Sequence, residues 1–305
     1  MTLYAFYGAL EQGFAYGLMV LGVYLTFRIL DFPDLTVDGT LPLGAAVSAV
    51  AIGAGYPPAL SILLAAGAGF LAGMVTGILN TKFKILHLLA SILTMIALYS
   101  INLRIMGRPN LTLLGKATVV DQFAAATSLP PYLSTPVLFA LVCFLLVGVL
   151  MWFLHTELGM VVLATGNNPR MITSLGVNTH SVIIFGVGLS NALVAASGAM
   201  VAQNQGAADV NMGVGTIVAG LASVIIGETV FGDRTINRAL LAALLGSVLY
   251  RVVIALALGL KLGDFSFTPS DLKLITAVIV VVALVAPQLK SKLVARKPRT
   301  VGSAS

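Results

Sequence analysis

The chain has 305 residues, of which 58% are hydrophobic and 9% charged, and its mean hydropathy is +1.02. Apolar runs recur that are too long for the core of a water-soluble domain, so the composition reads as an all-α polytopic membrane protein. The net charge of +6 does not indicate nucleic acid, because the basic residues fall in the connections between apolar runs, where membrane topology puts them.

In chain order, windows nearly free of charge predict roughly nine helical segments, at 4–29, 41–55, 59–79, 86–105, 136–154, 182–201, 212–226, 239–260 and 272–285, within a range of about 8–10 spans. Residues 1–289 then form one transmembrane domain and 290–305 a basic tail. The N-terminus lacks a basic stretch ahead of a short apolar core with a small-residue cleavage site, so 4–29 reads as a retained first span. Segments 41–55 and 212–226 fall short of the roughly 20 residues a straight span needs, which makes them candidate half-helices. Alternating the spans puts Arg28, Lys82, Lys84, Arg170, Arg234, Arg238 and the tail cations inside. Arg104, Arg108, Lys116, Lys261 and Lys273 fall outside. This bias predicts an outside N-terminus and a cytoplasmic C-terminus.

The first anomaly along the chain is Asp31-Phe-Pro-Asp34-Leu-Thr36-Val-Asp38-Gly39, which holds three of the eleven acidic residues. Asp34 and Asp38 would share a helix face and repel, whereas Pro33 and Gly39 argue for a turn or a broken helix. Broken helices at membrane depth are where transporters put ligand contacts. On that reading Asp34 or Asp38 lines a path with Thr36 and Thr40. The alternative is a wet cytoplasmic loop in which Asp31 pairs with Arg28.

Further on, Gly69-Phe-Leu-Ala-Gly73 and Gly73-Met-Val-Thr-Gly77 set small residues on one helix face for close helix contact. Cys143 is the only cysteine and reads as packing.

The second anomaly is NNPRMITSLGVNTHSVI, a polar interruption between apolar spans. Asn168 suits an N-cap, Pro169 the first helical position and Gly176 the left-handed residue past the end, which predicts a helix over 169–175 about 10 Å long. Met171, Ile172 and Leu175 share a face, and Arg170 points elsewhere. Such a helix either docks its apolar face in a groove or lies at the headgroups.

The run Met171-Ile-Thr-Ser-Leu-Gly176-Val-Asn-Thr-His180-Ser-Val-Ile and the small-residue span after it resemble the coupling loop of ABC-importer permeases of the branched-chain amino-acid and ribose type. Asn80-Thr-Lys-Phe-Lys-Ile, the Gly-rich stretch 213–227 and the placement of the spans are similar to that family too, so the likeness covers nearly the whole chain. The acidic stretch resembles the signature of the subgroup linked to tryptophan and tyrosine uptake.

The resemblance implies a type II ABC importer permease in a bacterial inner membrane, with 155–181 as the cytoplasmic coupling loop. It implies a homodimer served by a cytoplasmic ATPase dimer and an extracytoplasmic substrate-binding protein, surrounded by membrane lipid. Asn168, Pro169, Arg170, Met171, Ile172, Leu175 and Gly176 would meet the ATPase. No phosphate-binding loop of the Gly-x-x-x-x-Gly-Lys-Ser/Thr form occurs, so ATP and Mg belong to the partner ATPase and this chain is a non-catalytic subunit. The solute would be an aromatic amino acid, with branched-chain amino acids, sugars or nucleosides as alternatives.

Among the later spans, Arg251 sits roughly 20 Å into its segment, where a cation needs either a partner or a water-filled cavity. It reads as a path residue facing a carboxylate or as a structural pair. Asn191 and Ser190 line a path or bond between helices. Gln203, Asn204, Gln205, Glu11 and Gln12 are compatible with a gate or with interfacial polarity. His87, His155 and His180 are far apart with one cysteine to help, which argues against a metal site. A rival reading, an ion-coupled secondary transporter, would call for a matched pair of inverted repeats, and none is evident.

Overall fold

The computed structural model describes residues 3–127, 130–259, 261–262, 265–266 and 281. Apart from Val281, the segment expected over 272–285 and the basic tail lie outside the described residues.

The first helix, α1 (Leu3–Tyr24), runs into a π-helical turn (Leu25–Ile29). Leu30 to Leu35 then run without regular helix, and Asp31 takes a left-handed φ of +50°, a conformation Asp tolerates better than most residues. Helix α2 (Val37–Gly53) follows, then α3 (Pro58–Thr81) and α4 (His87–Met106). A short strand β1 (Asn110–Thr112), α5 (Val119–Thr127), α6 (Pro131–Leu154), α7 (Glu157–Asn167) and α8 (Pro169–Ser174) come next. Helix α9 (Thr179–Gln205), strand β2 (Ala207–Asp209), α10 (Thr216–Phe231) and α11 (Ile236–Gly259) complete the body, with a β3–β4 ribbon (Lys261–Leu262, Phe265–Ser266) beyond. Five of these helices are long and apolar enough to cross a membrane.

Eight of the expected segments are present as helices. The two short ones stay short: α2 has 17 residues and α10 has 16, or about 25 Å each against the roughly 30 Å of a hydrocarbon core.

Helix α9 is the spine. Its 27 residues give about 40 Å of rise, and it packs against α3, α2 and α1. The C-termini of α3 and α10 lie toward the α8 end of α9, followed by Lys82 after α3 and by Arg234 and Arg238 after α10. At the opposite end β1 and β2 pair antiparallel, Leu111 facing Ala208.

Close approach explains the contact with α3. A Cβ on Gly73 would sit 2.5 Å from the Val187 carbonyl oxygen, and one on Gly77 would sit 2.8 Å from Ile184 Cα. Gly69 meets the Asn191 carbonyl and the Ala195 methyl in the same way, so the glycine stripe expected from the sequence is the α3–α9 seam. Cys143 lies in the buried core, its thiol donating to the Phe14 carbonyl at 3.0 Å.

Gly67, on the same helix, has open space around it. Gly73→Ala is therefore expected to destabilise the protein by about 1–3 kcal/mol through overpacking, and Gly67→Ala to be near neutral, read as midpoints of thermal unfolding in detergent.

Candidate functional site

The stretch after Asp31 turns into the protein: Asp31 is exposed and Asp38 half-buried, but Asp34, Thr36 and Thr40 are fully buried, which favours the broken helix over the wet loop. The chain leaves the π turn, runs without regular structure through Pro33 and Asp34, and starts α2 against the middle of α9. Asn191, which meets this elbow, is about 18 Å along the roughly 40 Å of α9.

Hydrogen bonds close the elbow. Asp34 Oδ1 accepts from the Thr36 amide at 2.9 Å, an Asx turn that starts α2. Asp34 Oδ2 accepts from Asn191 Nδ2 at 2.7 Å, and Asn191 Oδ1 accepts from the Thr40 hydroxyl at 2.7 Å. The Thr36 and Thr76 hydroxyls are 2.9 Å apart, which brings α3 into the network. The expected path residues Asp34, Thr36, Thr40 and Asn191 thus come together. Thr76 joins them unforeseen, since in the sequence it was only the polar member of a glycine motif.

Asp38 turns away from this network. Its Oδ1 accepts from the Ile217 amide at 2.9 Å and the Thr216 hydroxyl at 3.1 Å, and its Oδ2 accepts from the Gly215 amide at 3.0 Å. One residue from the first turn of α2 therefore caps the start of α10, where orphan amides and the helix dipole favour a carboxylate. Pro42, inside α2, lacks the amide that would have bonded the Asp38 carbonyl, and Gly213 packs on that carbonyl where any Cβ would clash. Nearby, Asn102 of α4 is fully buried and donates Nδ2 to the Gly39 carbonyl at 3.1 Å.

Arg251 does not join the elbow. Its guanidinium lies 4.0 Å from the centroid of the Tyr16 ring, with Gln12 Oε1 at 3.5 Å, so it ties α11 to α1. Arg28 does not pair with Asp31. It forms a two-pronged ion pair with Glu228 that joins the π turn to the end of α10, the Nε–Oε1 distance being 2.9 Å. Ser190 donates to the Gly22 carbonyl at 2.7 Å, an interhelical bond. Gln203 gathers Ser48, Ser61 and the Pro58 carbonyl at 3.0–3.2 Å while accepting from the Val119 amide. Asn204 donates to Glu11. Among the described residues no cluster of three or more His, Cys, Asp or Glu is placed to hold a metal.

The polar interruption folds nearly as its pattern requires. Asn168 Oδ1 accepts from the Met171 amide at 3.1 Å, Pro169 opens α8, and Gly176 has φ +86°. The helix stops at Ser174, one residue short of expectation, with Leu175 as its cap. Its expected docking face is divided. Ile172 is buried against the rest of the chain, whereas Met171 and Leu175 are 49% and 71% exposed. Arg170 is exposed too.

A model of the family described as "Branched-chain amino acid transport system / permease component" matches residues 6–285. The tyrosine transport system permease protein of Clostridioides difficile (strain R20291) is 40% identical over 284 residues, 93% of this chain and 92% of that one. An autoinducer 2 import system permease of Yersinia pseudotuberculosis (strain IP 31758) is 28% identical over 76% of this chain and 65% of its own length. The galactofuranose transporter permease of Escherichia coli (strain K12) is 30% identical over 54% of this chain and 47% of its own length. No solved structure matches.

Replacing Asn191 by Leu strips Asp34 Oδ2 of its donor in a buried site, and a loss of about 3 kcal/mol is expected, measured as thermal stability in detergent. Asp34→Asn is expected to cost less, because the shape is kept and the Asn191 amide can flip to accept from it, at the loss of its own bond to the Val187 carbonyl, while Thr40 keeps its bond to the Thr36 carbonyl.

Proposed function

The chain belongs to the branched-chain amino acid permease family of ABC importers, and from that membership we propose that it forms the membrane path for an aromatic amino acid. The whole-length similarity to a tyrosine transport permease supports this substrate over the sugar and autoinducer alternatives, whose similarity is lower and covers less of the chain. The elbow at Asp34, Thr36, Thr40 and Asn191 is the part of the path that fixes the start of α2 at mid-depth, and Arg251 braces α1 to α11.

The single observation that carries the coupling assignment is α8. It is a capped helix, anchored by Ile172, that offers Met171 and Leu175 to an occupant outside the chain. Exposed apolar side chains on a braced helix suit a groove in a partner. In this reading the partner is a cytoplasmic ATPase dimer, which binds ATP and Mg, and Asn168, Pro169, Arg170 and Gly176 shape the helix that enters it. Closure of the ATPase moves the two α8 helices of a permease homodimer, and the path opens to the side where a binding protein delivers solute. The positive charges at the α8 end support a cytoplasmic location for that end, with the N-terminus outside and the C-terminus cytoplasmic.

Leu175→Asp tests the docking face, since Leu175 is exposed and its replacement leaves the fold intact. An ATPase is expected to co-purify with the wild-type chain from native membranes and to be lost from the variant. ATP-driven tyrosine uptake by vesicles holding the complex is expected to fall with it. Equal recovery of the ATPase with the variant would remove α8 from the docking site, and uptake that follows an ion gradient in place of ATP would overturn the importer reading.

A further inference from the structure

Where α2 and α10 both begin, a cavity of about 340 Å³ opens toward α4. That is within the range of small-molecule sites. Met95, Ile96 and Val214 give it apolar walls, and Tyr99 and Ser100 add exposed hydroxyls. Two further lining groups set its chemistry.

Asn102 is one. Its Nδ2 donates one hydrogen to the Gly39 carbonyl, while its Oδ1 is buried with no hydrogen-bond partner among the described residues. A buried acceptor left unmade costs stability, so it marks a place where a donor arrives. Asp38 is the other. Its Oδ1 takes two donors and its Oδ2 takes one, which leaves Oδ2 with room for another. The cavity thus has one carboxylate and one unspent buried amide oxygen, both acceptors. A ligand with a donor-rich cationic end satisfies both, whereas an anion satisfies neither.

A second cavity of similar size, about 350 Å³ between α2, α3 and α4, lacks this feature. Its polar lining residue, Thr94, already donates to the Ala90 carbonyl at 3.0 Å.

We propose that the Asp38–Asn102 cavity is a binding subsite for a primary ammonium group on an apolar or aromatic small molecule. This rests on the reading of the chain as an amino-acid permease and assigns the substrate's ammonium end to two residues. Asp38 Oδ2 supplies the charge and Asn102 Oδ1 the second acceptor, while the Tyr99 wall takes the apolar part.

The test is thiol labelling of the full-length chain in native membrane vesicles. Ser100→Cys is introduced with Cys143→Ala, so that the cavity holds the sole cysteine. A cationic aminoethyl and an anionic sulfonatoethyl methanethiosulfonate are compared, each normalised to its rate with a free thiol. The cationic reagent is expected to react roughly tenfold faster, the effect of one partly screened carboxylate at contact range. Tyramine is expected to slow the labelling, and 3-(4-hydroxyphenyl)propionate, which lacks the amine, is expected not to.

Asp38→Asn should abolish the rate ratio. Because Asp38 also caps α10, Asn102→Leu serves as the second variant: it should keep the charge preference and lose the tyramine protection. Equal normalised rates, or protection equally strong from the propionate, would overturn the subsite. The labelling needs neither ATP nor a binding protein. Tyramine protection without ATP-driven tyrosine uptake would strike the importer reading alone, and uptake without charge preference would strike the subsite alone.

Discussion

The structure turns on one constraint: a chain that abandons helix at membrane depth must satisfy its backbone and polar side chains within the protein. The elbow between the π turn and α2 does this with Asp34, which holds the first amide of the turn on one oxygen and Asn191 on the other. Thr36 and Thr40 each touch a second element, Thr76 on α3 and Asn191 on α9. Three elements are thereby tied at one depth by side chains that water does not reach. A network of this kind is stable only when complete, and among the described residues Asp34 lacks any cation to share its burial.

Close packing makes that arrangement possible. The bonds from Asn191 to Asp34 and Thr40 require α9 to lie directly against the elbow, and the glycines of α3 bring its backbone against the same stretch of α9. Gly69 and Gly73 both meet Asn191 or its immediate neighbours. Gly44 of α2 packs on the Ala195 carbonyl, one turn further along α9. The small residues and the polar residues are therefore two aspects of one device. Without the close approach, the hydrogen bonds of the elbow would not reach.

Much of this was legible from the sequence. The shortness of α2 and α10, the caps of α8, the glycine stripe and the crowding of Asp31, Asp34 and Asp38 are local features, and each appears in the fold where its local chemistry put it. What the sequence hid is long-range pairing. Asp38 finds Gly215, Arg28 finds Glu228 and Gln203 finds Ser48, partners separated by more than 150 positions, and no periodicity reports them. Ile172 shows the same limit at short range. Helical spacing put it on one face with Met171 and Leu175, but that face straddles the boundary between the chain's own core and the outside, and only the packing of neighbouring helices sets the boundary. Arg251 was flagged by its depth, and its partner proved to be an aromatic face, which no count of carboxylates would have revealed.

The three aspartates that looked like one acidic cluster have three separate uses. Asp31 is exposed and takes the left-handed backbone that turns the chain out of the π turn. Asp34 is buried and closes the elbow. Asp38 links the start of α2 to the start of α10, so two helix N-termini meet at a single carboxylate and any movement of one alters the bonds of the other. Their crowding follows from breaking the chain once, deep in the protein, since turning, capping and bridging must all happen within a few residues of the break. It also separates structure from chemistry within the motif. Asp34 has a donor on each oxygen and is walled off by threonines, whereas Asp38 is half-buried at the edge of a cavity with acceptor capacity in reserve. Of the two candidate path carboxylates, the one that bridges helices is also the one that lines a cavity.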